Sequence, residues 1–154
     1  MGAFDYPDGR APDVAATDRL TFLAGESEEG WRRILALVDV AQFRAGTDIL
    51  QVGQRDNAFY IVTSGAVQVI VPGPGGSERV ICEIAEGSVF GEIAFFDGAP
   101  RSATVRAIGD CWTVRVTRGN FERLAAWHPD IARNMLLDLG RIMAARLRHT
   151  TNAV

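Results

Sequence analysis

The chain has 154 residues, a formal net charge of −3 and a hydrophobic fraction of 47%. These values predict one globular domain that is large enough to bury a core, and the sequence holds no apolar run that could cross a bilayer. The acidic balance argues against nucleic acid as the main partner, so we expect no direct nucleic-acid contact. Isolated cysteines, together with the lack of a signal-peptide pattern, predict a cytoplasmic protein. Cys82 and Cys111 are isolated in the sequence, so we expect two free thiols and no metal site.

The N-terminal part of the chain divides into two stretches. Residues 1–18 contain acids, proline and glycine and lack the basic-then-apolar pattern of a signal peptide, so we expect a flexible leader. The domain itself is expected at residues 19–154. Its first helix is predicted near residues 27–37, because Ser27 can cap the helix and two glutamates follow in the first turn.

The middle of the chain, from Val40 to Val116, changes to a period of two. Short runs in which apolar and polar residues alternate are separated by turns rich in glycine and proline, such as residues 72–77. This pattern predicts a mainly β unit, built as an antiparallel sandwich or barrel.

The helical period returns after Thr117. This residue can cap a first helix, and a second helix is predicted from about Asp130 to about Arg148, with Pro129 in the tolerated first turn. The apolar residues of the second helix form one stripe, made of Ile131, Met135, Leu139 and Ile142. The predicted architecture is therefore a β unit with one helix before it and two helices after it.

The segment between Phe90 and Val105 carries the strongest chemical signal. Gly91 lets a ligand approach the backbone, and a helix that starts there would offer unpaired N–H groups to an anion. Arg101 can bind a phosphate through two parallel hydrogen bonds, whereas an ionised Glu92 can only accept, so its natural partner is a hydroxyl such as a ribose 2′-OH. One arginine beside one glutamate suits a phosphate with a single negative charge. A ribose next to a singly charged phosphodiester describes a cyclic nucleotide.

A competing interpretation of the same segment is a β-hairpin. Asp97 and Gly98 form a strong signal for a type I′ turn. Glu92 and Arg101 would then be an exposed cross-strand pair that contributes little stability. Pro100 weakens this alternative, because proline cannot donate a hydrogen bond to a strand ladder.

The segment resembles the phosphate-binding cassette of the cyclic-nucleotide-binding domain family. Phe-Gly-Glu-Ile-Ala at residues 90–94 and Pro-Arg-Ser-Ala-Thr-Val at residues 100–105 fall at the family's spacing. Residues 43–53 and 59–69 are similar to its first strands and its next hairpin. The resemblance implies an eight-stranded antiparallel β-roll, jelly-roll-like, with one N-terminal helix and two C-terminal helices, the last of which closes over the ligand.

The resemblance also implies a set of site residues. The ligand-binding residues would be Phe90, Gly91, Glu92, Ile93, Ala94, Arg101, Ser102, Ala103 and Val105. In the family a side chain near the end of the last helix caps the purine, and the candidates are Arg141, Met143 and Arg146. Residues that can also line the pocket, although core packing alone explains each, are Ile61, Val69, Ile81 and Ile84. Serine after the cassette arginine is common in bacterial cAMP binders, so the implied ligand is cAMP, with cGMP as the alternative and no further cofactor.

The sequence shows no catalytic constellation, since it lacks a Ser/His/Asp set, a metal cluster and a Walker loop. Binding is therefore expected to be the whole chemistry, and the last helix would pass a change to a protein partner or a tethered effector. One alternative is the sensor part of a DNA-binding regulator of the catabolite-activator type, which needs a helix-turn-helix after the long helix. Others are the regulatory domain of a longer enzyme or transporter, and a domain that keeps the fold but binds nothing. A homodimer through the last helix also stays open.

Overall fold

A computed structural model describes residues 17–152, with side chains described to residue 149. The leader predicted at residues 1–18 lies outside the described residues, except for Thr17 and Asp18. These two residues form the first strand and pair in parallel with a later strand of the domain. Within residues 17–152, no helix is both long enough and apolar enough to cross a membrane.

Nine strands form two sheets in the described part of the chain. They are β1 (Thr17–Asp18), β2 (Asp39–Phe43), β3 (Asp48–Leu50), β4 (Phe59–Ser64), β5 (Ala66–Pro72), β6 (Glu78–Ala85), β7 (Val89–Phe90), β8 (Thr104–Ala107) and β9 (Cys111–Val116). The five-stranded sheet has the order β1-β6-β5-β8-β3, and the four-stranded sheet has the order β2-β9-β4-β7. The β1–β6 pair is parallel, and the other strand pairs of these two sheets are antiparallel. The mainly β, antiparallel class is therefore confirmed.

The number of strands is a correction to the expected eight. One strand that the sequence did not predict is β1, in which Thr17 pairs with Glu83 and Asp18 pairs with Ile84. Two residues are too few to show an alternating pattern, and they fell within the expected leader. The strand is important for the site because it brings Asp18 beside the cavity described below.

Four α-helices complete the described fold, together with a 3₁₀ turn at Pro74–Gly76. They are α1 (Glu28–Leu35), α2 (Glu92–Asp97), α3 (Arg118–Trp127) and α4 (Pro129–Asn152). The predicted caps are confirmed, since the hydroxyls of Ser27 and Thr117 each accept a hydrogen bond at 3.0 Å from the backbone N–H three residues later. Helix α4 continues past its predicted end near Arg148, because no glycine or proline follows that residue.

Strand β4 of the four-stranded sheet is buried on both faces along most of its length. Successive side chains of a strand point to opposite faces, yet Phe59, Tyr60, Ile61 and Val62 of β4 are all at most 6% exposed. One core cluster contains Phe59 and Ile61 together with four buried residues of α4, namely Ile131, Met135, Leu139 and Ile142. A second cluster inside the roll contains Tyr60 and Val62 together with Phe90 and Val105. Helix α4 therefore packs on the outer face of this sheet, and the interior of the roll lies on the other face.

Candidate functional site

The segment around Asp97 and Gly98 forms the short helix α2, and not a β-hairpin. The helix begins after Gly91, with φ of +81°, and ends at Gly98, with φ of +68°. Both angles are left-handed, a conformation that glycine adopts without steric cost. The Gly98 N–H donates to the Ala94 carbonyl at 2.9 Å, as is common at helix C-termini. The Asp-Gly pair therefore marks the end of a helix in this chain.

Arg101 lies beside the start of α2 and is almost fully buried, with 5% of its surface exposed. Its guanidinium donates to the Gly91 carbonyl at 2.8 Å and to the Ala58 carbonyl at 2.6 Å. Asp56 accepts two further hydrogen bonds from it, at 2.5 Å and 3.4 Å. A buried arginine needs such partners, because removing a charge from water is costly. The contacts hold the guanidinium in one orientation within the roll.

Gly91 is required at its position for a reason besides its backbone angle. A Cβ atom added to Gly91 would lie 2.8 Å from Arg101 Nη1 and 3.1 Å from the Ala58 carbonyl oxygen. Both distances are shorter than an ordinary van der Waals contact between heavy atoms. A larger residue at this position would therefore displace the guanidinium, which is a role that the sequence did not reveal.

All nine predicted ligand-binding residues line one cavity of about 860 Å³. A volume of this size is within the range of small-molecule sites. The nine are Phe90, Gly91, Glu92, Ile93, Ala94, Arg101, Ser102, Ala103 and Val105. An apolar wall of the cavity comes from β5 and β6, through Val69, Val71, Ile81 and Ile84. The cavity thus combines an apolar surface with one buried cation and one buried anion.

Glu92 is the buried carboxylate of the cavity, with 5% of its surface exposed. Its Oε1 atom accepts a hydrogen bond from Arg146 Nη1 at 2.8 Å. Arg146 belongs to α4, so this ion pair joins the cassette to the last helix. The guanidinium offsets the charge of this buried carboxylate.

Arg146 also contacts the first strand of the domain. Its Nε atom donates to Asp18 Oδ2 at 2.6 Å, and its Nη2 atom donates to the Val89 carbonyl at 2.7 Å and to the Ser88 hydroxyl at 3.2 Å. Burial alone would lower the pKa of the Arg146 guanidinium, but the charges and hydrogen bonds of Glu92 and Asp18 raise that pKa above its ordinary value. Arg146 therefore stays charged and joins β1, the cassette and α4.

The three predicted base caps differ in position. Arg146 lines the cavity, whereas Arg141 and Met143 are not among its lining residues in the described chain. Arg141 turns toward the segment before α1, where it pairs with Asp138 at 2.7 Å and donates to the Thr21 carbonyl at 2.7 Å. A helix has 3.6 residues per turn, so the residues of α4 that line the cavity are neighbours or one turn apart: Ala145, Arg146 and His149.

Sequence reasoning missed two carboxylates that hold the arginines of the site. Asp56 holds Arg101 and lies in an irregular segment between β3 and β4, where no periodic pattern marks a position. Asp18 holds Arg146 and fell within the expected leader. Charge balance is the signal that could have found both, because each buried arginine needs a carboxylate nearby.

Ile61 belongs to the core on the helix side of the sheet and does not line the cavity.

The thiol of Cys82 lies in the wall that β6 contributes. Burial raises its pKa to about 11, although the nearby Arg146 lowers it in part. The thiol is therefore neutral near pH 7 and provides an apolar contact instead of a nucleophile. Both Cys82 and Cys111 are free, as expected. In the part of the chain that the structure describes, no group of three or more His, Cys, Asp or Glu side chains is arranged to hold a metal ion.

Comparison with known proteins identifies relatives of this chain. Residues 40–128 match the family model described as "Cyclic nucleotide-binding domain". The chain is 38% identical over 98 residues to the cAMP-dependent protein kinase regulatory subunit of Dictyostelium discoideum, a match that covers 64% of this chain and 30% of that protein. It is 29% identical over 110 residues to the CRP-like cAMP-activated global transcriptional regulator of Mycobacterium tuberculosis, which covers 71% of this chain and 47% of the regulator.

A solved structure shows the same fold. The crystal structure of a cyclic nucleotide-binding domain from Methylobacillus flagellatus matches with a TM-score of 0.77 and 22% identity, covering 88% of this chain and 76% of that chain. The chain spans less than half of the length of the two curated relatives named above. Because the family model matches more than half of its length, the chain belongs to the cyclic nucleotide-binding domain family.

Proposed function

We propose that the domain binds a cyclic nucleotide in this cavity, that cAMP is the preferred ligand, and that the chain itself catalyses no reaction. The observation that carries the proposal is the presence of Arg101 and Glu92 in one cavity, a cation for the phosphate and a buried acceptor for the sugar. Membership of the family supports the ligand class. No cofactor besides the cyclic nucleotide is part of the proposal.

The phosphate binds at Arg101. The Nη1 atom has a second N–H group besides the one that it donates to Gly91, and this group would meet an oxygen of the phosphate. The first N–H groups of α2 have no partner within the helix and would meet another oxygen. Ser102 and Ala103 are small and line the same part of the cavity, so their backbone can approach the ligand closely.

The sugar binds at Glu92. One carboxylate oxygen accepts from Arg146, and a ribose 2′-OH would donate to the other oxygen. This hydrogen bond is charge-assisted and lies in a buried position, so it is stronger than one between neutral groups. The ion pair with Arg146 supports binding by holding the carboxylate in one orientation at the cavity.

The base lies between the apolar wall and helix α4. Val69, Val71 and Ile81 of the wall offer the base an apolar contact, and Ala145 and His149 line the cavity from the helix. The preference for cAMP is supported by Ser102 at the position after the cassette arginine. It is also supported by two curated relatives whose names include cAMP.

The proposed moving part is α4. Phe95 of α2 packs in the same core cluster as Leu139 and Ile142, and Arg118 of α3 donates to the Phe95 carbonyl at 3.1 Å. A ligand that shifts α2, or that bonds to Glu92, therefore changes the contacts of the helices behind the sheet. Such a ligand favours whichever arrangement of α4 contacts it better.

The output of binding passes to a protein partner or to a tethered effector domain. The two curated relatives are longer than the matched segment, which covers 30% and 47% of them, so a tethered effector is the better supported of the two. The CRP-like relative favours the sensor part of a DNA-binding regulator as a second candidate. The length and content of the complete reading frame separate these outputs.

Calorimetric titration with cAMP, cGMP and 5′-AMP tests the proposal. We expect cAMP to bind most tightly, and 5′-AMP to bind at least about tenfold more weakly, because its open phosphate carries a second charge that Glu92 and Asp56 repel. No heat with either cyclic nucleotide would contradict the function. Tighter binding of cGMP would contradict the proposed preference, and equal binding of 5′-AMP would contradict recognition of the cyclic phosphate.

A further inference from the structure

Asp138 of α4 holds the chain segment that precedes α1. Its side chain is 19% exposed. Oδ2 accepts a hydrogen bond from the Leu23 N–H at 2.6 Å, and Oδ1 accepts from Arg141 Nε at 2.7 Å. Arg141 in turn donates to the Thr21 carbonyl at 2.7 Å. Asp138 and Arg141 together therefore hold the backbone of residues 21–23 through hydrogen bonds.

Leu23 adopts a backbone conformation that needs such contacts to hold it. Its φ is +53°, and it is the non-glycine residue of the described chain with a left-handed backbone. This conformation is unfavourable for a leucine and persists only where the surroundings hold it. The leucine side chain is 7% exposed and packs in the core cluster, while the carboxylate of Asp138 captures its N–H group.

The same segment also binds the β-roll. We call residues 18–23 the N-terminal strap. Phe22 N–H donates to the Gly87 carbonyl at 2.8 Å, and Asp18 pairs with Ile84 of β6. Asp18 also accepts the hydrogen bond from Arg146. The strap is thus bonded both to the roll and to α4, so α4 cannot move away from the roll unless one of these two sets of contacts breaks.

We propose that Asp138 is a positioning residue for the cavity. It fixes the N-terminal strap against α4 and thereby keeps the cavity-facing end of that helix, with Arg146 and His149, at the cavity. Asp138 and Arg146 are eight positions apart, about 12 Å along a helix, so Asp138 acts through the strap and not by touching a ligand. Its effect on ligand rests on the proposed function, whereas its effect on α4 is independent of ligand.

Hydrogen exchange without ligand tests the structural half of the proposal. The variants are Asp138→Ala, which removes both contacts, and Asp138→Asn, which keeps one acceptor for the Leu23 N–H. Glu122→Ala, at an exposed carboxylate of the neighbouring helix, is the matched control. In Asp138→Ala we expect at least about threefold faster exchange at Leu23 and in residues 139–149, with β4 unchanged, and a smaller change in Asp138→Asn. Parent-like exchange in both variants would overturn the proposal.

Ligand release tests the functional half in the same variants. We expect a fluorescent cAMP analogue to leave Asp138→Ala about three- to tenfold faster, with an association rate within about twofold of the parent, since the strap acts after capture. Asp138→Asn should recover part of the residence time, in step with its smaller change in exchange. Unchanged release despite faster exchange would overturn the positioning role. If the parent binds no cyclic nucleotide, the proposed function fails, and the exchange experiment alone decides whether Asp138 holds the strap.

Discussion

The two charged ends of the cavity are built in different ways. At one end, Arg101 bonds to Asp56 and to two backbone carbonyls of the roll and its cassette. At the other end, Glu92 bonds to Arg146 of α4, which is also held by Asp18 of β1. The Arg101 end, where we propose that the phosphate binds and which we call the phosphate end, is therefore complete within the roll. The sugar end is completed by residues from the two extremities of the described domain.

We expect this difference to assign ligand affinity and the response of α4 to different residues. A group that is already held in its binding geometry loses little freedom when a ligand arrives, so it contributes mainly to affinity. A group that is shared with a second element can change partners, and a ligand can shift an equilibrium only where its contacts differ between two arrangements. We therefore expect the phosphate end to control how tightly a ligand binds, and the sugar end to connect binding to α4.

Replacement of Arg101 should produce the largest loss of affinity. Charge-assisted hydrogen bonds to a phosphate contribute about 1.5–3 kcal/mol, and about 1.4 kcal/mol corresponds to tenfold in affinity. Arg101→Ala should therefore weaken cAMP binding roughly ten- to a hundredfold or more in calorimetric titrations. Arg101→Lys should recover only part of the loss, because a compact ammonium with three donors cannot bond to Asp56, to the two backbone carbonyls and to the phosphate at once.

The matched control for this change is Arg106→Ala. Arg106 lies on β8, close in sequence to Arg101, but its guanidinium bonds to Asp48 and Glu78 and does not line the cavity. The control should bind cAMP like the parent. A thermal melt should show that Arg101→Ala is folded, since Asp56 is partly exposed and can be solvated. Parent-like affinity in a folded Arg101→Ala protein would place the phosphate elsewhere.

The contact between Glu92 and the sugar should have a smaller effect, which a double-mutant cycle can isolate. The parent should bind 2′-deoxy-cAMP about tenfold more weakly than cAMP, because one charge-assisted hydrogen bond is missing. In Glu92→Gln the two ligands should differ by less than about threefold. Glu86→Gln, an exposed glutamate nearby in sequence, is the control and should keep the full difference. Additive effects of the two changes would remove Glu92 from the ribose.

Hydrogen exchange on addition of cAMP should show the response. We expect severalfold slower exchange in residues 91–103 and in α4, because the ligand contacts the cassette and Glu92 is bonded to Arg146. Exchange in β4 should change little, since both faces of this strand are already buried. Protection confined to the cassette would leave α4 out of the mechanism.

Cys82 should have the smallest effect on binding. Because burial raises its pKa to about 11, the thiol keeps its proton from pH 7 to pH 9 and begins to ionise only above that range. Cys82→Ala should weaken cAMP binding by less than about threefold, the loss of a small apolar contact. The affinity ratio between parent and variant should be constant from pH 7 to pH 9. A ratio that falls or rises steadily over this range would show a thiolate at the ligand.

The parts of the structure that were predicted correctly have long or local sequence patterns. The apolar stripe of α4 repeats over several turns, and the caps at Ser27 and Thr117 depend on residues three positions away. The cassette is a contiguous segment whose residue types and spacing indicate both a ligand class and a family. The strand at β4 was predicted through the resemblance of residues 59–69 to a hairpin of the family, although not that both of its faces would be buried.

The parts that were missed depend on contacts between residues far apart in the chain. Asp18 and Arg146 are 128 positions apart, and Asp56 and Arg101 are 45 positions apart. No periodicity connects such residues, and a strand of two residues has no period at all. The Asp-Gly pair at Asp97 was ambiguous for another reason, since glycine in a left-handed conformation ends a helix as well as it turns a hairpin.

The hydrogen bond between Asp18 and Arg146 places the first strand beside the far part of the last helix. The first described strand and a C-terminal turn of α4 therefore lie side by side. Domains with adjacent ends tolerate insertion into a loop of a host protein and circular permutation, and the exposed turn at Pro74–Gly76 offers a position for new ends. A donor and an acceptor fluorophore attached at exposed positions near Asp18 and Arg146 would start close together. Under the proposed movement of α4, their energy transfer would change on binding, and the domain would become an optical reporter of its own ligand.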